Sequence, residues 1–314
     1  MQVQFANCSS ARRDGLAAGD PPEVLRQILG TQLKELRESA GRSYLEAARA
    51  VGVSEATIRR MEAGQATRYL RASLMALLDC YGVTAREKAE AVQRLADEAS
   101  QPSWWHPYRD VAPEWLRTRI GLDEAAQLIR GYAPQHVPDL LQTEEYARAL
   151  LHADDPLTAP DPERTERRVE LRMRRQALLR REEPPRLWIV LDETVLRWPV
   201  GGPKVMGDQV ARLLELSALP HVTLQLMPYE LGPHVAAGAG AFTVFRVRAR
   251  ELPDIVSSEN GLTAPTIDTK REHVARYQAA LDHLCAQALQ ASASRDRLGE
   301  LHAHWSDAPH GPGG

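Results

Sequence analysis

Residues Tyr44 to Gly64 read Y-L-E-A-A-R-A-V-G-V-S-E-A-T-I-R-R-M-E-A-G. The stretch describes two short helices joined by a sharp turn. Ser43 is placed to cap the first helix, Gly52 accepts the positive φ of the turn, and Ser54 is placed to cap the second. Ala48 stands four residues before Gly52, where only a small side chain lets the helices approach closely. Val53 and Ile58 are spaced to fall inward, one from the turn and one from the second helix. Small, Gly, apolar and apolar at these intervals is a helix-turn-helix pattern. The combination carries the specificity; no single residue does.

The wider segment from Gly41 to Gly64 resembles the repressor-like, Xre-type DNA-binding domains. Gly52, Val53, Ser54, Ile58, Glu62 and Gly64 carry that resemblance. Two positions depart from it. Tyr44 stands where the family usually has a Gln that contacts phosphate, and Arg59 stands where it often has Ser. They leave the fold expectation intact and bear on the phosphate contact and the base preference. The resemblance also implies a partly buried ion pair between Arg37, on the preceding helix, and Glu62; two solvated charges are the alternative reading.

A second helix of this kind enters the major groove by its N-terminus. Glu55, Ala56, Arg59 and Arg60 are then the candidate base readers, with Ser54 and Thr57 in reach of phosphate or base edges. Arg42, Ser43 and Tyr44 open the preceding helix, whose N-terminus favours a phosphate, and Arg68 is a further phosphate candidate. The expected partner is double-stranded operator DNA.

A chain of 314 residues is too long for such a head alone and suggests two domains. The net charge of −3 does not by itself indicate nucleic acid. Between Arg26 and Arg71, however, nine basic residues face five acidic ones, the balance of a DNA-binding head on an acidic remainder. Cys8, Cys80 and Cys285 form no CxxC pair, so neither a disulfide framework nor a metal site is expected. No apolar run approaches membrane-spanning length and no signal-peptide core opens the chain, so a cytoplasmic protein without a membrane partner is expected.

In chain order, residues 1–20 read as a disordered arm, in which Arg12 and Arg13 could touch DNA, and residues 21–100 as the all-α head. Pro21-Pro22 opens a helix carrying Leu29, Leu33, Leu36 and Ala40, and Gly41 ends it. After the motif come a helix with Leu74, Leu77 and Leu78 on one face, closed by Gly82, and another opened by a capping box of Thr84 and Glu87. Five helices result. Residues 101–119 hold Trp104, Trp105, Tyr108 and Trp115 among prolines and read as an aromatic linker packed between domains; a stacking platform for nucleotides is the other reading.

Residues 120–291 are expected to form a mixed α/β regulatory domain with a small sheet, and residues 292–314 a C-terminal tail. From Ile120 the chain resembles the poorly characterised C-terminal domain of a large group of actinobacterial Xre-type regulators. Val137, Pro138, Leu140, Leu141, Gln142, Thr143, Tyr146, Ala147 and Arg148 match its usual phrase, with Asp139 in place of a Gly. If that Gly has φ > 0, Asp tolerates it better than most residues. Further matches begin at Leu191, Met206, Val222 and Phe242, so the resemblance spans Trp105 to Leu289. It implies the antitoxin-like label of that group, in which a small companion protein is often encoded nearby.

The residues themselves read as strand Leu187–Leu191, helix Met206–Leu219 and strand Val222–Met227, a βαβ crossover with a parallel pair. Phe242–Val247 and Asp254–Ser258 extend the sheet, and a final helix from His273 to Ala291 covers it. A helix from Glu163 to about Glu182 carries eight arginines, with Glu163–Arg167 and Glu170–Arg174 as i,i+4 pairs. It reads as a solvated helix or as a second DNA contact.

Two classes of function compete. One is a two-domain transcriptional regulator, homodimeric on DNA, whose C-terminal domain senses a small-molecule effector or docks a small protein partner. The other is a DNA-targeted nuclease or hydrolase using Asp192, Glu193 or Glu259, which follow strands. No catalytic triad order, phosphate loop or His-x-x-x-His pair accompanies those carboxylates, and His136, His221 and His234 are scattered. The regulator is the expectation, with no catalytic residue, cofactor or metal.

Overall fold

The computed structural model describes residues 22–66, 68–153, 161–247, 253–259 and 264–307. Arg12, Arg13 and the remainder of the expected arm lie outside the described residues, as do Pro21 and residues 154–160. The chain divides into two compact units, one running to His106 and the other beginning at Pro107.

The first unit is helical: α1 Pro22–Ser39, α2 Tyr44–Val51, α3 Glu55–Glu62, α4 Arg71–Cys80 and α5 Arg86–Ala99. Its core is built from apolar residues at helical spacing, with Leu25, Ile28, Leu29 and Leu33 of α1, Ile58 of α3 and Leu74, Leu77 and Leu78 of α4 all buried. Gly52 takes φ +73 and its N–H reaches the Ala48 carbonyl, which closes α2 as its sequence requires. Ala48 is buried. Some expectations fail locally. Val53 is not buried as expected; it follows the left-handed Gly52, gives its N–H to the Ala48 carbonyl and is 36% exposed. Ala40 is exposed just beyond α1. α5 begins at Arg86 after Ala85 with no side-chain cap, so Thr84 and Glu87 do not form the expected box.

The second unit contains α6 Glu114–Ala125, β1 Ala126–Ala133, α7 Glu144–Ala153, α8 Pro162–Arg175, β2 Arg186–Asp192, α9 Pro203–Ser217 and β3 Val222–Met227. It continues with β4 Phe242–Val247, β5 Ile255–Ser258, β6 Thr266–Asp268, α10 Arg271–Gln287 and α11 Ala291–Asp307. One six-stranded sheet runs in the order β3-β2-β1-β4-β5-β6. β2 and β3 are parallel, as the crossover through α9 requires, and β2 is also parallel to β1. β4, β5 and β6 add antiparallel to the other side. One face is covered by α9, α11 and the chain around α7 and α8; α10 covers the other through Val274, Leu281 and Leu284.

Three differences from the expected plan matter. β1, the strand joining the parallel and antiparallel halves, has no counterpart in the sequence reading. The expected tail, residues 292–314, is instead α11 over Ala291–Asp307, whose Leu298, Leu301 and Trp305 enter the main core. The expected linker, residues 101–119, is divided: the Trp105 indole donates to Glu23 in the first unit, the Tyr108 hydroxyl to Glu170 in the second, and Glu114 already begins α6.

Candidate nucleic-acid interface

Each helix of the motif is fixed at its start. Ser43 Oγ accepts from Glu46 N–H, and the Glu46 carboxylate accepts from the Ser43 N–H at 2.8 Å, a complete capping box. The Ser43 backbone bond, the Ser43 hydroxyl and Arg42 together pull the Glu46 carboxyl down from 4.5 to about 2. Ser54 caps α3 by accepting from Thr57 N–H at 3.2 Å.

The buried side of α3 holds Ile58, Met61 and Glu62. Arg37 Nε and Nη2 donate to the two oxygens of Glu62 at 2.7 and 3.0 Å, a bidentate pair, while Nη1 donates to the Arg42 carbonyl. The bond to Glu62 raises the Arg37 pKa despite burial. α1 therefore grips the end of α3, and Gly30 allows it. A Cβ at Gly30 would stand 2.6 Å from the Glu62 carbonyl oxygen and 2.7 Å from that of Met61. Gly30 escaped the sequence reading because nothing local distinguishes it from any helical glycine.

The opposite side of α3 is the exposed set Glu55, Ala56, Arg59, Arg60 and Ala63, which share one helical face. Ser54 begins that face and Thr57 is half-buried beside it. Arg59 is drawn back: its guanidinium lies 3.9 Å from the Tyr44 ring centroid and 3.8 Å from Glu55. Arg37 stacks on the same ring at 4.0 Å. Tyr44, in the position where the resembling family has Gln, is thus a platform shared by two arginines. Arg60 reaches Thr57 Oγ1 at 3.4 Å, and Arg42 donates to the Cys80 carbonyl and to Glu46. The structure brings eight of the ten candidate residues onto α2, α3 and their N-caps; Arg42 stands just before the Ser43 cap, and Arg68 is exposed on the segment before α4.

This geometry has a counterpart in sequence comparison: a helix-turn-helix domain matches residues 28–91, from within α1 to within α5. A domain of unknown function, DUF5753, matches residues 116–300, more than half of the chain. The chain belongs to the DUF5753 family. No curated protein and no solved structure matches it. The helix-turn-helix domain supports a DNA-binding regulator.

Within the DUF5753 domain, Asp192, Glu193 and Glu259 each meet polar or charged neighbours. Glu193 is fully buried and accepts from Arg197 and Arg297, which ties α11 to the end of β2. Asp192 accepts from Thr194 N–H in the turn after β2 and lies 3.5 Å from the Tyr132 hydroxyl, which also meets His234 Nε2 at 3.1 Å. Glu259 is 3.8 Å from His136, and His221 meets the Leu179 carbonyl. No group of three or more His, Cys, Asp or Glu side chains suited to a metal occurs among the described residues, and none of their helices is long and apolar enough to cross a membrane.

The phrase from Val137 to Thr143 is a buried knot. Val137 and Leu141 are fully buried, Gln142 donates to the Val137 carbonyl, and Gln209 of α9 bonds both the Thr143 N–H and the Leu141 carbonyl. Asp139 does not have positive φ; no non-glycine residue among those described does. Its carboxylate accepts from Arg175 at 2.8 Å and lies 3.5 Å from Arg172. Neither α8 arginine is the solvated charge expected: Arg175 is buried and Arg172 is 14% exposed in its side chain. Arg167 pairs with Asp110 rather than with the expected Glu163, and Glu170 accepts from Tyr108.

Proposed function

We propose that the chain is a sequence-specific transcriptional regulator of Xre type. α3 reads operator DNA, and the DUF5753 domain responds to a small molecule or to a small protein partner in the antitoxin-like manner. The observation that carries this reading is the exposed face of α3, with Glu55, Ala56, Arg59 and Arg60 opposite the buried clamp of Arg37 on Glu62. A helix held from behind and bare in front is suited to enter a major groove. The proposed setting is the cytoplasm, where the operator lies.

One recognition helix spans too few base pairs to select a site in a genome. The active form is therefore a homodimer with heads about 34 Å apart, one turn of DNA. Glu193 is buried, with Oε1 engaged by Arg197 and Arg297. The role proposed is binding without catalysis.

The test pairs gel retardation of genomic DNA fragments at low salt with the hydrodynamic mass of the full chain on the retained fragments. Two chains per retained site are expected. Failure to retard any fragment would remove the DNA role, and one chain per site at saturation would remove the dimer.

A further inference from the structure

We infer that the DUF5753 domain holds a binding site for a small organic anion with a flat apolar body, in the cavity between α8, α6 and the sheet. This names a chemical class for the sensing role proposed above and rests on that reading for its purpose. The chemistry of the cavity stands without it.

The cavity has a volume of about 480 Å³, inside the roughly 300–1,000 Å³ of small-ligand sites. Its floor is the sheet. Ile189, Gly131, Thr243 and Ser257 stand side by side in register on β2, β1, β4 and β5, and all four line the cavity. The neighbouring row on the same face, Leu187, Ile129, Phe245 and Ile255, is a filled apolar core. Ile129 and Leu187 of that row also reach the cavity, and Gly131, Thr243 and Ser257 continue its floor with small side chains. Gly131 lets its neighbours on the floor close over it: a Cβ there would press within 3.2 Å of Ile189 Cδ1 and 3.3 Å of Thr243 Oγ1.

The wall is cationic. Arg119, Arg168, Arg172 and Arg175 line the cavity, against the carboxylates Asp139 and Glu259. Arg119 is held in place by Asp123, by Thr243 Oγ1 at 3.2 Å and over the Phe245 ring at 4.8 Å. Arg175 is 6% exposed and gives its two Nη groups to Asp123 and Asp139, while its Nε has no partner among the described residues. A buried charged donor left unmade is costly, and one lining a cavity invites an acceptor from outside the chain. Trp115, 37% exposed, adds an aromatic surface to the same lining. Guanidinium groups beside an aromatic and an aliphatic surface select a carboxylate or phosphate carried on an apolar ring.

The experiment titrates the full chain with 2-naphthoate, 1-naphthyl phosphate, inorganic phosphate and the neutral 2-naphthalenemethanol, by calorimetry and thermal shift. Arg172→Gln and Gly131→Val are titrated alongside, the first removing charge and the second filling the floor. Saturable binding of one naphthyl anion with Kd of about 1 mM or tighter is expected, with at least about a tenfold loss in Arg172→Gln. The neutral analogue should not bind, and whichever of the two anions binds distinguishes carboxylate from phosphate ester. Binding of inorganic phosphate as tight as that of the naphthyl anions would remove the apolar half of the inference. Absence of binding by both naphthyl anions, equal binding of the neutral analogue, or unchanged affinity in a folded Arg172→Gln would overturn it. Gel retardation of DNA by the same preparation separates the two readings. Anion binding without DNA binding would sink the regulator and leave the site, whereas DNA binding without anion binding would sink the site alone.

Discussion

Each unit buries an arginine among carboxylates, and the two are finished differently. In the head, Arg37 bonds Glu62 through Nε and Nη2 and the Arg42 carbonyl through Nη1. In the DUF5753 domain, Arg175 bonds Asp123 and Asp139 through its Nη groups and leaves Nε without a partner among the described residues, beside a cavity. A closed network fixes a shape. An open one keeps the capacity to bind. The difference follows from where each unit works: the head presents α3 outward and needs a rigid rear, while the second unit turns its charges inward around empty space.

The comparison breaks first at its strongest point. Arg37→Ala leaves Glu62 buried without its cation, and losing one partner of such a pair costs about 3–5 kcal/mol. Denaturant unfolding of the full chain followed by circular dichroism should show an early transition of the helical head. A loss below about 1 kcal/mol would mean that the clamp does not hold α3. Arg175→Met should cost less, about 1–3 kcal/mol, because Asp123 keeps Arg119 and Asp139 keeps Arg172. A cost exceeding that of Arg37→Ala, in the same denaturant series, would reverse the comparison and make Arg175 the more structural of the two.

Gly30→Ala examines the same clamp without touching charge. Alanine gains up to about 1 kcal/mol of helix propensity. The added Cβ meets backbone carbonyls at 2.6 and 2.7 Å, and overpacking of that kind costs about 1–3 kcal/mol. Net destabilisation of the head is expected; a stabilised head in the same unfolding measurement would show that α1 can yield.

The smallest effect is a pH dependence. Glu46 is held at about 2 against an ordinary 4.5, so its contribution to the α2 cap is complete above 4.5 and is lost as pH falls towards 2. Asp139 is also depressed: burial opposes its charge, and Arg172 and Arg175 outweigh burial. Its contribution likewise disappears on acidification. Glu46→Gln should flatten the acid limb of head stability and leave that of the second unit intact. An unchanged acid limb would remove the cap from the account.

The head was legible because its signals are local. Ser43, Ala48, Gly52 and Ser54 state a cap, a close contact, a turn and a second cap within twelve residues, and each acts on neighbours in the chain. The Arg37–Glu62 pair came from resemblance, and the geometry confirms it. The second unit was legible where apolar runs and helical spacing are unbroken, at β2, α9 and β3 and again at β4, β5 and α10. β1 was missed because α6 runs into it with no turn residue between Ala125 and Ala126, and because Arg130 and Gly131 interrupt its apolar pattern. Arg130 sits in this central strand by stacking over Trp188 and reaching Asp282. α11 was hidden by the polar run from Ser292 to Asp296, although Leu298, Leu301 and Trp305 recur at helical spacing. The cavity had no sequence signature. Its arginines come from α6 and α8 and its floor from four strands, which only the sheet order brings together.

The most direct test of the central claim is selection of bound sequences from random duplex DNA by the full chain and by its Arg59→Ala and Arg42→Ala variants. The account predicts an enriched motif of two half-sites whose centres lie about 10 base pairs apart. Arg59→Ala should relax one position of each half-site at a cost of about 1–3 kcal/mol, while Arg42→Ala should weaken all sequences alike and lower the salt slope. An unenriched pool from the folded wild-type chain would contradict the claim, and so would a motif unchanged in affinity and preference when Arg59 is removed.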